Sequence, residues 1–181
     1  MSLEYRRGNI INALKRGEID FLMHQVNCEG EMGAGLAMSI KHHFPNTEKE
    51  YLEWLDLYKA TNSEFGSARI TSDKIINAYT QYYKGAPNGR LFKYGKYETA
   101  DSFNNRLTAL ENVASLYGKY GANIQTKIGI PLIASGLAAD KTRKQRFIKN
   151  PFSDEGADLR YFKEYIAPIF EPYGNFICYY L

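Results

Sequence analysis

Asp20-Phe21-Leu22-Met23-His24-Gln25-Val26 runs straight into Asn27-Cys28-Glu29-Gly30-Glu31-Met32-Gly33-Ala34-Gly35-Leu36-Ala37, and this junction constrains the fold more than any other stretch. The largely apolar first part fits a strand buried on both faces, as in a parallel sheet covered by helices. Leu36, Ile40 and Phe44 then recur at helical spacing until Pro45 interrupts, so a helix begins within or just beyond the glycines. A small-residue loop between a buried strand and a helix N-terminus brings backbone amides close to any anion beyond the strand. Taken alone, Gly30, Gly33 and Gly35 divide evenly between a turn and an anion cradle. Two nucleotide-binding patterns are missing: Met38 stands where a Rossmann loop wants its third glycine, and no Walker-type Gly-Lys-Ser/Thr occurs.

The rest of the chain repeats the alternation of strand and helix. Glu4 to Arg7 reads as a short strand ending in a turn at Gly8-Asn9. Thr47-Glu48-Lys49-Glu50 has the form of a capping box, and Tyr51, Trp54, Leu55 and Tyr58 follow as the apolar stripe of a second helix. Residues 68–72 and 74–81 read as two strands around a tight turn near Asp73, and residues 82–98 read as loop. Phe103, Leu107, Leu110, Ala114 and Tyr117 keep a 3.6-residue rhythm that Gly118 or Gly121 can end. The apolar strand 127–133 empties into a second small-residue loop, Ala134-Ser135-Gly136-Leu137-Ala138-Ala139-Asp140. A polar, basic connection over about 141–158 leads to a helix carrying Leu159, Phe162 and Ile166, bent or ended near Pro168, and 176–180 forms the last strand. This order predicts one three-layer α/β/α domain over residues 1–181 with a central mixed sheet.

Composition narrows the function. A formal charge of +3 gives no general case for a nucleic-acid partner. Two cysteines, Cys28 and Cys178, without metal-ligand spacing point to neither a disulfide scaffold nor a metal site, and no metal or cofactor is expected. No apolar run approaches the roughly 20 residues of a membrane span, so a cytoplasmic protein is expected.

In open α/β sheets, ligands bind beyond the carboxyl ends of the strands. Five stretches that fall at such ends or in the strands leading to them resemble macrodomain motifs in the macrodomain order. They are Arg7-Gly8-Asn9-Ile10, the loop from Met23 to Ala37 with Phe44-Pro45, Ala78-Tyr79-Thr80-Gln81, Ile130-Pro131 with Ser135-Gly136-Leu137, and Tyr179-Tyr180-Leu181. The first loop is most similar to the branch containing ADP-ribose 1''-phosphate phosphatases and ADP-ribosyl-glutamate hydrolases. The resemblance implies a groove for ADP-ribose or ADP-ribose 1''-phosphate, or for an ADP-ribosylated protein.

It also implies roles for individual residues. Asn9, where macrodomains usually have aspartate, would accept a hydrogen bond from the adenine amino group, with Ile10 beside it; as a plain turn residue it is equally well explained. Gly33, Ala34, Gly35 and Leu36 would form one half of a diphosphate clamp, the amides of Ser135, Gly136, Leu137 and Ala138 the other half, with Thr80 also at the ligand. Asn27 would orient a hydroxyl or a water at the distal ribose, and Asp140 would act there as the acid/base, though it serves equally well as a helix cap. The lysine that some relatives use as nucleophile would fall at Tyr82, with Lys84 two residues late. His24 and Cys28 read as core residues. Lys141-Thr142-Arg143-Lys144-Gln145-Arg146-Phe147-Ile148-Lys149 reads as a solvated basic surface, with a terminal or polymer phosphate as its other use. The expected function is hydrolysis of a group at the distal ribose; a non-catalytic ADP-ribose reader and an RNA-binding macrodomain are the alternatives.

Overall fold

Strand β2 (Phe21–Asn27) lies inside the sheet because its side chains have apolar cover on both faces: Leu22 and Val26 pack on one side, Met23 on the other. The computed structural model describes residues 3–61, 66–94, 97–121, 124–150 and 153–181. In it, β2 pairs in parallel with β4 (Ile75–Gln81) and with β7 (Ile128–Ile130). Strands β1 (Glu4–Arg7) and β8 (Phe176–Tyr180) extend the sheet beyond β7, and β3 (Ala68–Ile70) closes it antiparallel to β4. The order β1-β8-β7-β2-β4-β3 is a mixed sheet, as the strand and helix pattern implied.

Each face carries its own apolar core. Ile10, Ile11 and Ala13 of α1 (Ile10–Lys15), Ile40 of α2 (Gly35–His43), and Tyr51 and Leu55 of α3 (Pro45–Thr61) cover one face. Leu110, Val113 and Ala114 of α4 (Phe103–Tyr117) cover the other. They share it with residues of α6 (Ala157–Tyr161), a π-helical segment Phe162–Ile166 and α7 (Ala167–Phe170).

Several local expectations are revised. Helix α3 starts at Pro45, whose missing N–H suits a first turn, so Thr47 lies inside the helix instead of capping it. The Thr47 hydroxyl meets that of Thr71 at 3.2 Å, and Glu50 accepts from the Ser72 amide at 3.0 Å. The stretch expected as loop before the fourth helix holds a hairpin, β5 (Leu91–Tyr94) with β6 (Tyr97–Ala100). The basic connection holds α5 (Lys141–Ile148). The side chain of Tyr58, the last residue of the expected α3 stripe, lies outside the described residues.

Candidate functional site

Neighbouring strands β2 and β7 send the chain opposite ways. From β2 it passes through α2 and α3 on one face toward β4; from β7 it passes through α5 to α7 toward β8, with α6 and α7 on the other face. A crevice opens at the carboxyl ends of two strands related in this way. The two small-residue loops, after β2 and after β7, form its walls.

A cavity of about 670 Å³ on the β4 side is lined by Asn27, Glu31, Gly33 to Ala37, Gln81, Lys84 and Lys141 together with Pro131 to Ala134 and Gly136 to Ala138. A second, of about 860 Å³, lies on the β8 side and includes Arg7, Asn9, Ile10, Asp154, Asp158, Tyr179 and Tyr180. Gly35, Leu36, Pro131 and Leu132 belong to both, which makes the two cavities one groove running across the loops.

The second loop presents its amides to this groove. Ser135 N–H donates to Leu132 O at 3.1 Å and Ala139 N–H to Gly136 O at 3.2 Å, whereas the amides of Gly136, Leu137 and Ala138 donate to no described residue. The loop carbonyls are held by two cations. Lys144 Nζ donates to Ser135 O at 2.8 Å and Gly136 O at 3.3 Å and pairs with Asp158; Arg106 Nη1 donates to Ala138 O at 3.5 Å. Three consecutive amides with no described acceptor, beside the Ser135 and Gly136 carbonyls that face Lys144, are an arrangement suited to an anion. A Cβ added at Gly33 or Gly136 would meet no protein atom within 4 Å, so no protein contact requires glycine at either position. A side chain there would stand in the groove.

Across the groove, the first backbone bond of α2 runs from Met38 N–H to Ala34 O at 3.4 Å, which leaves the amides of Gly35, Leu36 and Ala37 without intrahelical acceptors. The loop before it is shaped by Asn27. Its Oδ1 accepts from Glu29 N–H at 3.0 Å and Glu31 N–H at 3.3 Å, the Tyr51 hydroxyl donates to the Asn27 backbone O at 2.7 Å and lies 2.9 Å from Oδ1, and Nδ2 donates to Glu31 O at 2.9 Å.

The groove gathers Asn9, Ile10, Asn27, Gly33, Ala34, Gly35, Leu36, Gly136, Leu137 and Ala138. Three other anticipated residues stand differently. Thr80 is fully buried and does not line the groove, because the side chains of β4 alternate and its hydroxyl turns to Ala78 O at 3.4 Å. Ser135 is also fully buried, its amide engaged within the loop and its hydroxyl donating to Ile133 O. Asp140 caps α5: Oδ1 accepts from Arg143 N–H at 2.9 Å and Oδ2 faces the Arg143 guanidinium at 3.5 Å. It does not line either cavity.

Asn9 likewise caps a helix, its Oδ1 accepting from the amides of Ile11 at 2.9 Å and Asn12 at 3.1 Å. That leaves the Nδ2 donor as the polar group it can turn to the β8-side cavity. Tyr82 is buried, whereas Lys84 and Gln81 line the groove. Lys84 Nζ donates to Glu31 Oε2 at 2.8 Å, and this bond raises the lysine above its ordinary pKa. The ammonium form is poorly suited to attack carbon. His24 is buried with Nε2 2.6 Å from Asn77 Oδ1, and burial pushes it down to about 4. Among the described residues there is no group of three or more His, Cys, Asp or Glu arranged to hold a metal ion.

Sequence reasoning missed Arg106 and Glu31. Arg106 is buried in α4 with Nε 2.6 Å from Asp101 Oδ1 and Nη2 2.6 Å from Asp101 Oδ2. It also donates to Gly85 O at 2.7 Å and Tyr83 O at 3.1 Å, and so ties the segment after β4 to the second loop. Its place in an apolar helical rhythm was the available signal, since a buried arginine needs partners.

Comparison with solved structures places this architecture. The macrodomain of Thermus aquaticus DarG superposes over 98% of this chain and 96% of its own length with a TM-score of 0.57 at 16% identity. The fold is that of a macrodomain. The DarG macrodomain of Mycobacterium tuberculosis (TM-score 0.52, 20% identity, 98% and 96% covered) and a Streptomyces coelicolor macrodomain protein (0.51, 13%, 99% and 99%) share the same macrodomain architecture. No family model matches the sequence. A stretch of 57 residues is 33% identical to an ADP-ribose 1''-phosphate phosphatase of Saccharomyces cerevisiae (strain YJM789), covering 32% of this chain and 31% of that protein's length.

Proposed function

We propose that the chain binds ADP-ribose derivatives along the groove and hydrolyses a group from the distal ribose. The observation that carries this reading is the pair of amide sets that line the β4-side cavity from the two loops, Gly35 to Ala37 and Gly136 to Ala138, with Gly35 and Leu36 where the two cavities meet. A diphosphate fits between them, because free amides on both sides can each take an oxygen without bringing a charged side chain into the cleft. The β8-side cavity, with Tyr179, Tyr180 and Ile10, takes the nucleoside; the β4-side cavity takes the distal ribose.

Lys141 lines the distal end, which supports a substrate with an anionic group there, such as a 1''-phosphate. The yeast relative's name supports the same substrate class. Calorimetric titration with ADP-ribose, AMP and ribose 5-phosphate tests the binding, with ADP-ribose expected to bind at least tenfold more tightly than either fragment. Phosphate release from ADP-ribose 1''-phosphate and release of ADP-ribose from a glutamate-linked peptide test the chemistry; equal affinity for all three ligands would sink the groove assignment.

A reader without turnover is favoured by one observation. The amide oxygen of Asn27 is engaged by the amides of Glu29 and Glu31, and Asp140 serves as a cap. ADP-ribose binding with no release from either substrate would decide for it. The basic helix gives RNA little to hold, since Arg143, Lys144 and Arg146 each face a carboxylate, of Asp140, Asp158 and Glu164.

A further inference from the structure

Hydrolysis at the distal ribose needs a group that can take a proton from water, and the groups expected from the sequence are otherwise engaged. Asn27 is an amide, which accepts hydrogen bonds but is not a proton acceptor at neutral pH. Asp140 is turned to Arg143 at the head of α5. His24 lines the cavity but is buried, with Nε2 2.6 Å from Asn77 Oδ1. Gln81 donates its Nε2 to Gly85 O. Among the described residues lining the β4-side cavity, Glu31 is the sole carboxylate.

Its surroundings hold Glu31 in place from two sides. The Asn27 side chain bonds both the N–H and the C=O of the Glu31 backbone, at 3.3 and 2.9 Å. On the other side, Lys84 Nζ donates to Glu31 Oε2 at 2.8 Å, while Lys84 N–H donates to Glu29 Oε2 at 2.8 Å and ties the strand-end segment to the first loop. Glu31 Oε1 makes no hydrogen bond to a described residue. One carboxylate oxygen thus meets Lys84 and the other is available, on a side chain that is half-exposed at the groove.

We infer that Glu31 is the proton acceptor at the distal end of the groove, with Asn27 and Lys84 as its positioning residues. The inference rests on the hydrolase reading above. A water beside Oε1 gives a proton to Glu31 as its oxygen bonds to the anomeric carbon of the distal ribose. The bond from that carbon to the leaving oxygen breaks, and the departing phosphate or carboxylate takes the bonding pair. Glu31 then returns the proton to solvent. The products are ADP-ribose and the free phosphate or acid.

The full chain and its Glu31→Gln, Lys84→Met and Lys84→Arg variants provide the test. Each is titrated with ADP-ribose and followed in single turnover on ADP-ribose 1''-phosphate and on a glutamate-linked ADP-ribosyl peptide across pH. Glu31→Gln is expected to keep ADP-ribose affinity within about threefold while losing about 100-fold or more in rate, the usual contribution of a general base, and to lose the acid limb of the rate profile. Lys84→Met is expected to lower the single-turnover rate about tenfold with ADP-ribose affinity unchanged and Lys84→Arg to restore most of it, the pattern of an orienting cation. A Glu31→Gln rate close to that of the unaltered chain overturns the inference. So does an unaltered chain that binds ADP-ribose and releases nothing from either substrate, and that result leaves the binding reading standing. An unaltered chain that does not bind ADP-ribose overturns both.

Discussion

Lys144 Nζ donates to the carbonyl oxygen of Ser135 at 2.8 Å, although neither residue lines the groove between them and the first loop. The bond holds the second loop with its carbonyls toward α5 and the amides of Gly136 to Ala138 toward the groove. Removing the ammonium lets those peptides rotate and also withdraws a positive charge from behind the anion site. Lys144→Met is therefore expected to weaken ADP-ribose binding about tenfold, about 1.4 kcal/mol, with adenosine binding unchanged. Lys144→Arg should fall between the two. Calorimetry on both ligands checks this, and an equal loss for adenosine would show a general disturbance in place of a phosphate effect.

Gly136 gives a complementary test. A Cβ there meets no protein atom within 4 Å, so Gly136→Val is expected to leave the thermal midpoint nearly unchanged while its methyls occupy the groove. Loss of ADP-ribose binding at unaltered stability is the expected result. Retained affinity would mean that the ligand does not approach this loop.

The junction of β2, its loop and α2 was legible in the sequence because a buried strand, small residues and a helical stripe each leave a local pattern. The engagement of individual side chains was not. Asn9 and Asp140 carry the residue types of both a cap and a ligand contact, and only the positions of Ile11 N and Arg143 N settle which atoms are already taken. Glu31 looked like one more polar loop residue until the fold brought Lys84, 53 residues away, to its carboxylate. Arg106 was hidden for a similar reason, since its partners Asp101, Tyr83, Gly85 and Ala138 meet it only in three dimensions.

Asp140 separates a cap from an acid/base by substitution. Asp140→Ala is expected to cost about 1 kcal/mol through loss of the bond to Arg143 N–H, while Asp140→Asn, an equally good cap, should stay within a few tenths. Chemical denaturation measures both. Loss of turnover in Asp140→Asn at full stability would return this carboxylate to the distal ribose.

The buried pair of Arg106 and Asp101 predicts a larger effect. Arg106→Met leaves a fully buried carboxylate without its guanidinium, which costs about 3–5 kcal/mol when a buried pair is broken from one side. Removing both charges, as Arg106→Met with Asp101→Leu, should recover part of that loss. A single variant as stable as the parent would show that the pair does not hold the segment after β4.

His24 sets an acid limit on stability. Buried and hydrogen-bonded through Nε2 to Asn77, it is pushed down to about 4, chiefly because burial disfavours the charged ring. In the unfolded chain it titrates near 6.5, so between these values the unfolded state holds the extra proton. The contribution is whole above about pH 6.5 and is lost as pH falls toward 4, by at most about 1.4 kcal/mol per pH unit. Replacing His24 with Gln removes that proton uptake. Denaturation curves at pH 7.5, 6.0 and 5.0 should therefore show the parent's advantage over His24→Gln shrinking as the pH drops. A constant gap between the two would mean that His24 takes up its proton equally in the folded and unfolded states, so that water reaches the ring beneath the groove.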